Sequence, residues 1–266
     1  MIAVRNILGV RVHAATMQQA LEICMHAVET RSRLLVGVVN AAKVVSMHRQ
    51  SALKSAVDAT DVTFADGMAV VWAGRLLRQP LPERVAGIDL FQNLLRLAHE
   101  RSLSVFLLGA EQEVLDKVVA RVKAEHPNAR LVGARNGYFN EAESAQVADE
   151  IRAARPDLLF VAMTSPKKEI FLSKWSEHMQ IAVCHGVGGS FDVLAGKVRR
   201  APVVWQKLGL EWLYRVLQEP RRLWKRYAVT NSIFIWMVLK AMPGAWLGRG
   251  EQPSKAGALQ SGETVR

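Results

Sequence analysis

Short apolar runs alternate with longer segments of helical periodicity over the first 195 residues of the chain. The short runs are rich in aliphatic residues, which predicts strands at Leu34–Val39, Val62–Ala65, Ser104–Leu108, Arg130–Gly133, Leu158–Met163 and Ile181–His185. The periodicity between them predicts helices near Ala42–Ala56, Ile88–His99, Glu113–Glu125, Glu143–Ala154 and Lys167–Glu177. Such alternation predicts an α/β fold, with a mainly parallel sheet flanked by helices in a Rossmann-like core over residues 1–195.

Several predicted strands end in a small or polar residue just before a helix. These residues are Asn40, Asp66 with Gly67, Gly109, and Thr164 with Ser165. In open parallel sheets, ligands bind at the carboxyl ends of the strands, where helix N-termini also favour anions. We therefore expect the binding site to draw on these turns.

A basic, aromatic-rich segment begins near residues 195–201, where the alternation stops. Between Lys197 and Arg226 nine basic residues face two acidic ones, in a chain whose formal net charge is +11. The apolar run Ile233–Leu239 follows, and it is shorter than the roughly 20 residues that cross a bilayer. This pattern predicts a helical appendage over 196–247 that binds an anionic membrane surface and completes the active site; an amphipathic helix packed on its own domain would look similar. Residues 248–266 are typical of a flexible tail.

The N-terminal residues show no export signal, and Cys24 and Cys184 show no CxxC spacing. The expected location is therefore the cytoplasm, with peripheral attachment to the inner face of the plasma membrane and with no disulfide or zinc site. The positive charge also leaves open a nucleic-acid-binding protein. No helix-turn-helix, zinc-finger or RNP pattern accompanies that charge, and nucleic acid is not the expected partner.

The glycine-rich segment His185–Asp192 follows a predicted strand. It is either a phosphate-binding turn, in which N–H groups around Gly186, Gly188 and Gly189 face an anion, or a tight structural turn. A GxGxxG motif would require glycine at Phe191, and the P-loop GK[ST] is missing. Neither of the common nucleotide motifs is therefore present.

Asp66 lies between a strand end and a helix start, where a carboxylate either caps the helix or faces the predicted site. In the second case it is a candidate general base that removes the proton of an attacking hydroxyl group. The chain has no Asp-x-Asp pair to hold a metal ion on a diphosphate, so no metal and no cofactor are expected. The cations available instead are Arg84, Arg215, Arg221 and Arg222, because arginine matches phosphate geometry in a bidentate way.

Seven segments between Leu34 and Tyr227 carry a family resemblance. They read DVTFADGMAVVWAGRLL, PLPERVAGIDL, VFLLGA, VGARNGYF, LFVAMTSPKKEIF, GVGGSFDVLAGKVRRAP and QKLGLEWLYRVLQEPRR. In this order they are similar to the WecG/TagA/CpsF family of bacterial glycosyltransferases. The resemblance implies an inverting, metal-independent enzyme that moves a sugar from a UDP-sugar donor to a polyprenyl-diphosphate-linked saccharide in cell-surface polysaccharide synthesis. The sugar would be a hexose, N-acetylmannosamine or its uronic acid.

The same resemblance assigns roles to individual residues. It implies Asp66 as the base, Arg84 as a cation for the departing UDP, Asn40 as a substrate contact, Tyr138 and Asp192 in the nucleotide pocket, and Arg215, Arg221 and Arg222 as cations that fold over the site at the membrane. Retention of these motif residues argues against a noncatalytic membrane-bound partner of a polysaccharide assembly. A homo-oligomer remains open.

Two positions depart from the family pattern. Val38 stands where many members have threonine, and Lys168 stands where they have glutamine. The segment Val39–Lys43 is closer to the form found in enterobacterial uronic-acid transferases. Lys168 is therefore a candidate contact for an anionic sugar.

Overall fold

The computed structural model describes residues 2–247, without the side chains of Lys207 and Arg222, so the predicted tail at 248–266 lies outside it. A six-stranded parallel sheet forms its centre, in the order β4-β3-β8-β7-β5-β6, and an antiparallel hairpin of β1 and β2 precedes it. The strands are β1 Val4–Ile7, β2 Val10–His13, β3 Leu34–Val39, β4 Val62–Ala65, β5 Ser104–Gly109, β6 Arg130–Arg135, β7 Leu158–Ala162 and β8 Val183–Gly186.

Helices flank the sheet and continue to the end of the described chain. They are α1 Met17–Thr30, α2 Ala41–Met47, α3 Ser51–Asp58, α4 Met68–Leu76, α5 Gly87–Glu100, α6 Gln112–Glu125, α7 Ser144–Ala154, α8 Lys167–Met179, α9 Ser190–Leu194, α10 Val203–Lys207, α11 Glu211–Gln218 and α12 Pro220–Trp246. This architecture confirms the predicted α/β fold class.

Burial along the strands explains why the central ones are almost purely apolar. Every residue of β5 and of β7 is buried, because helices cover both faces of the sheet at these positions. The edge strand β6 instead alternates between exposed and half-buried residues. Within the sheet, β3 lies between β4 and β8, so that the carboxyl ends of these three strands are neighbours.

Helix α5 is held against the sheet by one apolar face. Leu90, Leu94, Leu95 and Ala98 recur at helical spacing and are fully buried in the largest apolar cluster. This packing fixes the first residue of α5, Gly87, beside the carboxyl end of β4. The helix therefore brings its N-terminus to the edge of the sheet where a site is expected.

Two local predictions differ from the structure. The helix predicted over Ala42–Ala56 is divided into α2 and α3, with a break at 48–50. No glycine or proline marks that break in the sequence, so the apolar periodicity alone indicated one helix. The β1–β2 hairpin and α1 were not predicted. Gly9 lies in the turn of this hairpin and has a φ of 78°, a conformation that favours glycine.

The long C-terminal helix α12 packs one of its faces on the core. Phe234 and Val238 are buried in an apolar cluster with residues of α2 and α4, and Trp246 donates its indole N–H to the carbonyl of Leu76 at 3.1 Å. Ile235 and Trp236, which follow Phe234, are more than half exposed. The core thus covers one face of α12, and apolar side chains of another face remain exposed. None of the helices described in residues 2–247 is long and apolar enough to cross a membrane.

Candidate active site

Asp66 directly follows β4, and its carboxylate is anchored to the start of α5. The backbone N–H of Asp66 donates to the carbonyl of Val39 at 2.9 Å, which holds this turn against the end of β3. Its side-chain Oδ1 accepts the N–H of Gly87 at 2.8 Å. Because the first N–H groups of a helix have no partner within the helix, Asp66 satisfies a donor that would otherwise be unpaired.

Asp66 therefore does not cap the helix that follows it in sequence, and that alternative is wrong. The N-cap residue of α4 is Gly67, and no side-chain hydrogen bond caps this helix. The Asp66 carboxylate is half-buried, and one of its oxygens is used by Gly87. The second oxygen, Oδ2, can receive a proton from a molecule bound at the strand ends.

His185, near the end of β8, contacts the same residue, Gly87, through its carbonyl group. Its Nε2 lies 3.2 Å from the carbonyl oxygen of Gly87. Burial lowers the pKa of His185 to about 4, although hydrogen bonds to Gly87 and Val36 and the charge of Asp66 act to raise it. The imidazole is therefore neutral at physiological pH and donates from Nε2. Its place between β8 and α5 identifies it as a positioning residue.

Asn40 lies beside Asp66 as predicted, at the start of α2. Its Oδ1 caps this helix by accepting the N–H of Lys43 at 3.0 Å. The turns after β3 and β4 touch, because a Cβ placed on Gly67 would be 3.4 Å from the Cβ of Asn40. Since Oδ1 serves as the cap, the side-chain NH2 group of Asn40 is the part that it can offer to a ligand.

Lys168 is buried below the glycine-rich turn and shares a carboxylate with Lys43. The Nζ atoms of Lys43 and Lys168 lie 2.8 and 2.6 Å from Oε1 of Glu169. Burial raises the pKa of Glu169, but the two ammonium groups outweigh burial and lower it to about 2. Burial lowers the pKa of Lys168 to about 8, against the opposing charges of Glu169 and Asp66. A buried ionic triad of Lys43, Glu169 and Lys168 thus lies within electrostatic reach of Asp66.

The shifted pKa of Lys168 predicts a pH dependence of stability. Between pH 8 and pH 10.5 the unfolded chain binds this proton and the folded chain does not, so the contribution of Lys168 to the free energy of unfolding rises with pH. We expect this component to be absent from Lys168→Met and present in Lys174→Met, a control at an exposed lysine of the same helix. Urea denaturation across this range measures it; parallel curves for wild type and Lys168→Met would contradict it.

The glycine-rich turn lies directly over Lys168. A Cβ placed on Gly186 would be 3.3 Å from two side-chain carbons of Lys168, so a larger residue there would displace the lysine. The N–H groups of Val187 and Gly188 both donate to the carbonyl of Val161, at 2.9 and 3.4 Å. The expectation that the N–H groups of this turn face an anion is therefore wrong for these two residues, because β7 already uses them.

Arg215 of α11 reaches the other end of this turn. Its Nη2 lies 3.5 Å from the position that a Cβ of Gly189 would occupy, and Oδ2 of Asp192 lies 3.8 Å from the same position. The absence of a side chain at Gly189 therefore leaves room for the guanidinium group. Arg215 and Asp192 both lie beside Gly189, and their assignment to the nucleotide site stays a prediction.

Arg84 is nearly buried and is paired with two carboxylates. Its Nη1 contacts Oε2 of Glu211, in α11, and its Nη2 lies 3.7 Å from Oδ2 of Asp89, in α5. Arg84 thus joins the core to a C-terminal helix. Any anionic ligand of Arg84 would have to compete with Glu211 for this guanidinium group.

Tyr138 and Asp192 lie around a second group of charges. Tyr138 is 73% exposed, and its hydroxyl donates to Oε1 of Glu111 at 3.3 Å. Lys197 lies 3.0 Å from the other oxygen of Glu111. The pKa of Lys197 is raised by Glu111 above all, and also by Asp192 and Tyr138. Tyr138 thus contacts the carboxylate that pairs with Lys197, and Asp192 lies within electrostatic reach of this lysine.

The two remaining predicted cations lie at the start of α12. Arg221 is exposed and, within residues 2–247, makes no ion pair with the other predicted site residues. The side chain of Arg222 is outside the described part of the chain.

Lys43, Glu169 and Glu211 were not predicted as site residues. Lys43 lies three residues after Asn40 and Glu169 directly follows Lys168, so both were next to predicted positions. The local sequence KKE does not indicate whether its glutamate is buried or exposed to solvent. Their places became evident only from burial and from the partners that each of them contacts.

A parallel sheet that carries a carboxylate and several cations at the carboxyl ends of its strands is the arrangement of an α/β enzyme for an anionic substrate. The profile of the glycosyl transferase WecG/TagA/CpsF family matches residues 5–246. The chain therefore belongs to this family of glycosyl transferases.

One relative from Bacillus spizizenii is named N-acetylglucosaminyldiphosphoundecaprenol N-acetyl-beta-D-mannosaminyltransferase. It is 39% identical to this chain over 173 residues. The matched segment spans 65% of this chain and 66% of that protein, which is just under two thirds of each.

Proposed function

We propose that this protein is an inverting, metal-independent glycosyltransferase that moves a sugar from a UDP-sugar to a polyprenyl-diphosphate-linked saccharide. The observation that carries the proposal is the half-buried carboxylate of Asp66, which the N-terminus of α5 holds at the carboxyl end of the sheet. The relative named above, whose printed acceptor is a diphosphoundecaprenol-linked sugar, supports this acceptor class. Bacterial cell-surface polysaccharide synthesis is the process that such a transfer serves.

In the proposed reaction, Oδ2 of Asp66 takes the proton of an acceptor hydroxyl group. The hydroxyl oxygen forms a bond to the anomeric carbon on the side opposite to the diphosphate, and the bond between that carbon and the diphosphate oxygen breaks. UDP leaves with the electron pair, and the single displacement inverts the configuration. The hydrogen bond from Gly87 to Oδ1 orients the carboxylate, so that Oδ2 is held in place to accept the proton.

Three cations of the candidate site are assigned to the charge that develops on the departing UDP. Arg84 and Arg215 supply guanidinium groups from the core and from α11, and Lys168 supplies a buried charge below the glycine-rich turn. Tyr138 and Asp192 are assigned to the uridine part of the donor. Lys168 also remains our candidate contact for a donor with an anionic sugar.

Binding of the donor gives the first test. A ligand present at 100 times its Kd adds about 2.7 kcal/mol to the stability of its protein, so the cognate UDP-sugar is expected to raise the Tm clearly. UDP-glucose, UDP-N-acetylmannosamine and its uronic acid are compared at equal concentration. The best of them is then assayed for UDP release with a polyprenyl-diphosphate-linked acceptor. No stabilisation by any of them, together with no UDP release, would refute the proposal.

We also propose that α10, α11 and α12 bind the surface of an anionic membrane, where the lipid-linked acceptor resides. Trp224, Ile235 and Trp236 are each more than half exposed, and arginine and lysine residues flank them. Aromatic residues and bases on one helical surface are typical of interfacial binding. The nucleic-acid alternative has only the net charge in its favour.

The intact protein is expected to sediment with vesicles that contain anionic phospholipid, and much less with neutral vesicles. The double variant Trp224→Ala/Trp236→Ala is expected to bind about tenfold more weakly, because apolar area that enters the interface is lost. Val132→Ala, an exposed position on the edge strand β6, is the control and is expected to bind normally. Equal binding by the double variant would exclude this helix surface as the membrane contact.

A further inference from the structure

Arg200 lies in the loop between α9 and α10, and this loop is held at several points. The backbone N–H of Arg199 donates to Oε1 of Gln218, in α11, at 3.3 Å, and the carbonyl of Arg199 accepts from Nε2 of the same glutamine at 3.0 Å. The carbonyl of Ala201 accepts from Nε2 of Gln206 at 2.7 Å. These hydrogen bonds fix the backbone on both sides of Arg200, and so they fix the Cα atom from which its side chain extends.

The side chain of Arg200 joins the same carboxylates that hold Arg84. Its Nη1 lies 2.6 Å from Oδ1 of Asp89, and its Nε lies 3.8 Å from Oε1 of Glu211. The second oxygens of both carboxylates face Arg84. Two arginines and two acids therefore alternate in one network, and the two guanidinium groups are brought close together despite their like charge.

One edge of the Arg200 guanidinium group is left without a partner. Its Nη2 is buried and has no hydrogen-bond partner within residues 2–247. Leaving a buried donor of a charged group unpaired is costly, and such groups usually have a partner in the functional state. About a quarter of the side chain, 24%, remains exposed, but Nη2 itself is covered, so a ligand reaches it only after a neighbouring group has moved.

The same side chain is within electrostatic reach of the candidate base. Burial acts to lower the pKa of Arg200, but Asp89 above all, then Glu211 and Asp66, raise it. Arg200 thus belongs to the charged groups that surround the candidate base.

We propose that Arg200 is a second diphosphate-binding arginine, which contacts a phosphate oxygen of the nucleotide donor through Nη2 while Asp89 orients its guanidinium group. The proposal rests on the proposed function. The network of Arg84, Arg200, Asp89 and Glu211 is neutral, so a diphosphate gains from it only by replacing one carboxylate. Glu211 is the one replaced, because it belongs to a separate C-terminal helix, whereas Asp89 belongs to α5 of the core. After the exchange, both arginines face the diphosphate with Asp89 as their remaining counter-charge.

Calorimetric binding of uridine, UMP and UDP to the full chain tests this assignment. In Arg200→Gln, we expect UDP to bind about 10- to 100-fold more weakly, as for loss of a hydrogen bond to a charged group, and uridine to bind unchanged. Arg200→Lys keeps the positive charge but loses the planar guanidinium group, and it is expected to bind UDP with intermediate affinity. Arg199→Gln, the exposed neighbouring position, is expected to stay within about twofold of wild type.

The variant Glu211→Gln is expected to change the affinity for UDP in the opposite direction. Since this variant removes the carboxylate that the diphosphate replaces, it is expected to bind UDP more tightly than wild type does. The proposal is overturned if folded Arg200→Gln or Arg200→Lys binds UDP as wild type does, or if uridine and UDP lose affinity equally, which indicates a purely structural role. If the wild-type protein binds none of the three ligands, the proposed function itself fails.

Discussion

Replacing Asp66 by asparagine is expected to slow sugar transfer by about 10²–10⁴-fold, the contribution typical of a general base. Asparagine has the same shape, and its side-chain carbonyl can still accept the N–H of Gly87, so the start of α5 stays in place. What it cannot do is take a proton from the acceptor hydroxyl group. The loss is therefore expected in kcat, with the affinity for UDP nearly unchanged.

The measurement is UDP release with a lipid-diphosphate acceptor, with a thermal melt of each variant to show that it is folded. Asp116→Asn, an exposed aspartate on α6, is the matched control and is expected to keep full activity. If Asp66→Asn stays within about tenfold of the wild-type rate, Asp66 is not the base. Its carboxylate would then serve only to hold α5 against β4.

Replacing Glu169 by glutamine is expected to lower the free energy of unfolding by about 3–5 kcal/mol, because it leaves two buried ammonium groups without their counter-charge. Lys43, Lys168 and Glu169 are all nearly buried in the structure, so water screens the triad only weakly. Glu177→Gln, at an exposed glutamate of the same helix, is expected to change stability by no more than about 0.5 kcal/mol. Urea denaturation at pH 7 compares the two variants.

The stabilisation that Glu169 provides is expected to decrease at acidic pH. The pKa of Glu169 is lowered from 4.5 to about 2, so its contribution to stability is complete above pH 4.5 and is lost as the pH falls towards 2. The double variant Lys168→Met/Glu169→Gln removes one of the two unpaired charges and is expected to recover part of the lost stability. A cost below about 1 kcal/mol for Glu169→Gln would mean that the triad is more hydrated than its burial indicates.

Local patterns determined the sheet and most of its helices. The apolar runs of β5 and β7 identify buried strands because a strand covered on both faces has no polar positions. The division of α2 from α3 was missed because residues 48–50 contain no helix-breaking signal. Asp66 and Asn40 could be placed at one edge of the sheet from sequence, since each directly follows a predicted parallel strand.

The sequence by itself thus determined the α/β class and the edge of the sheet at which Asn40 and Asp66 lie, while the role of Asp66 as the base stays a prediction. Only the tertiary structure decided which groups these residues contact. Asp66 holds Gly87, 21 residues away, Lys43 shares Glu169 with Lys168, and Arg84 pairs with Glu211, 127 residues away. Pairs of charged residues so far apart produce no periodic pattern in the sequence, because their contact depends on strand order and on helix packing. A strand or a helix, in contrast, can be predicted from the pattern of consecutive residues.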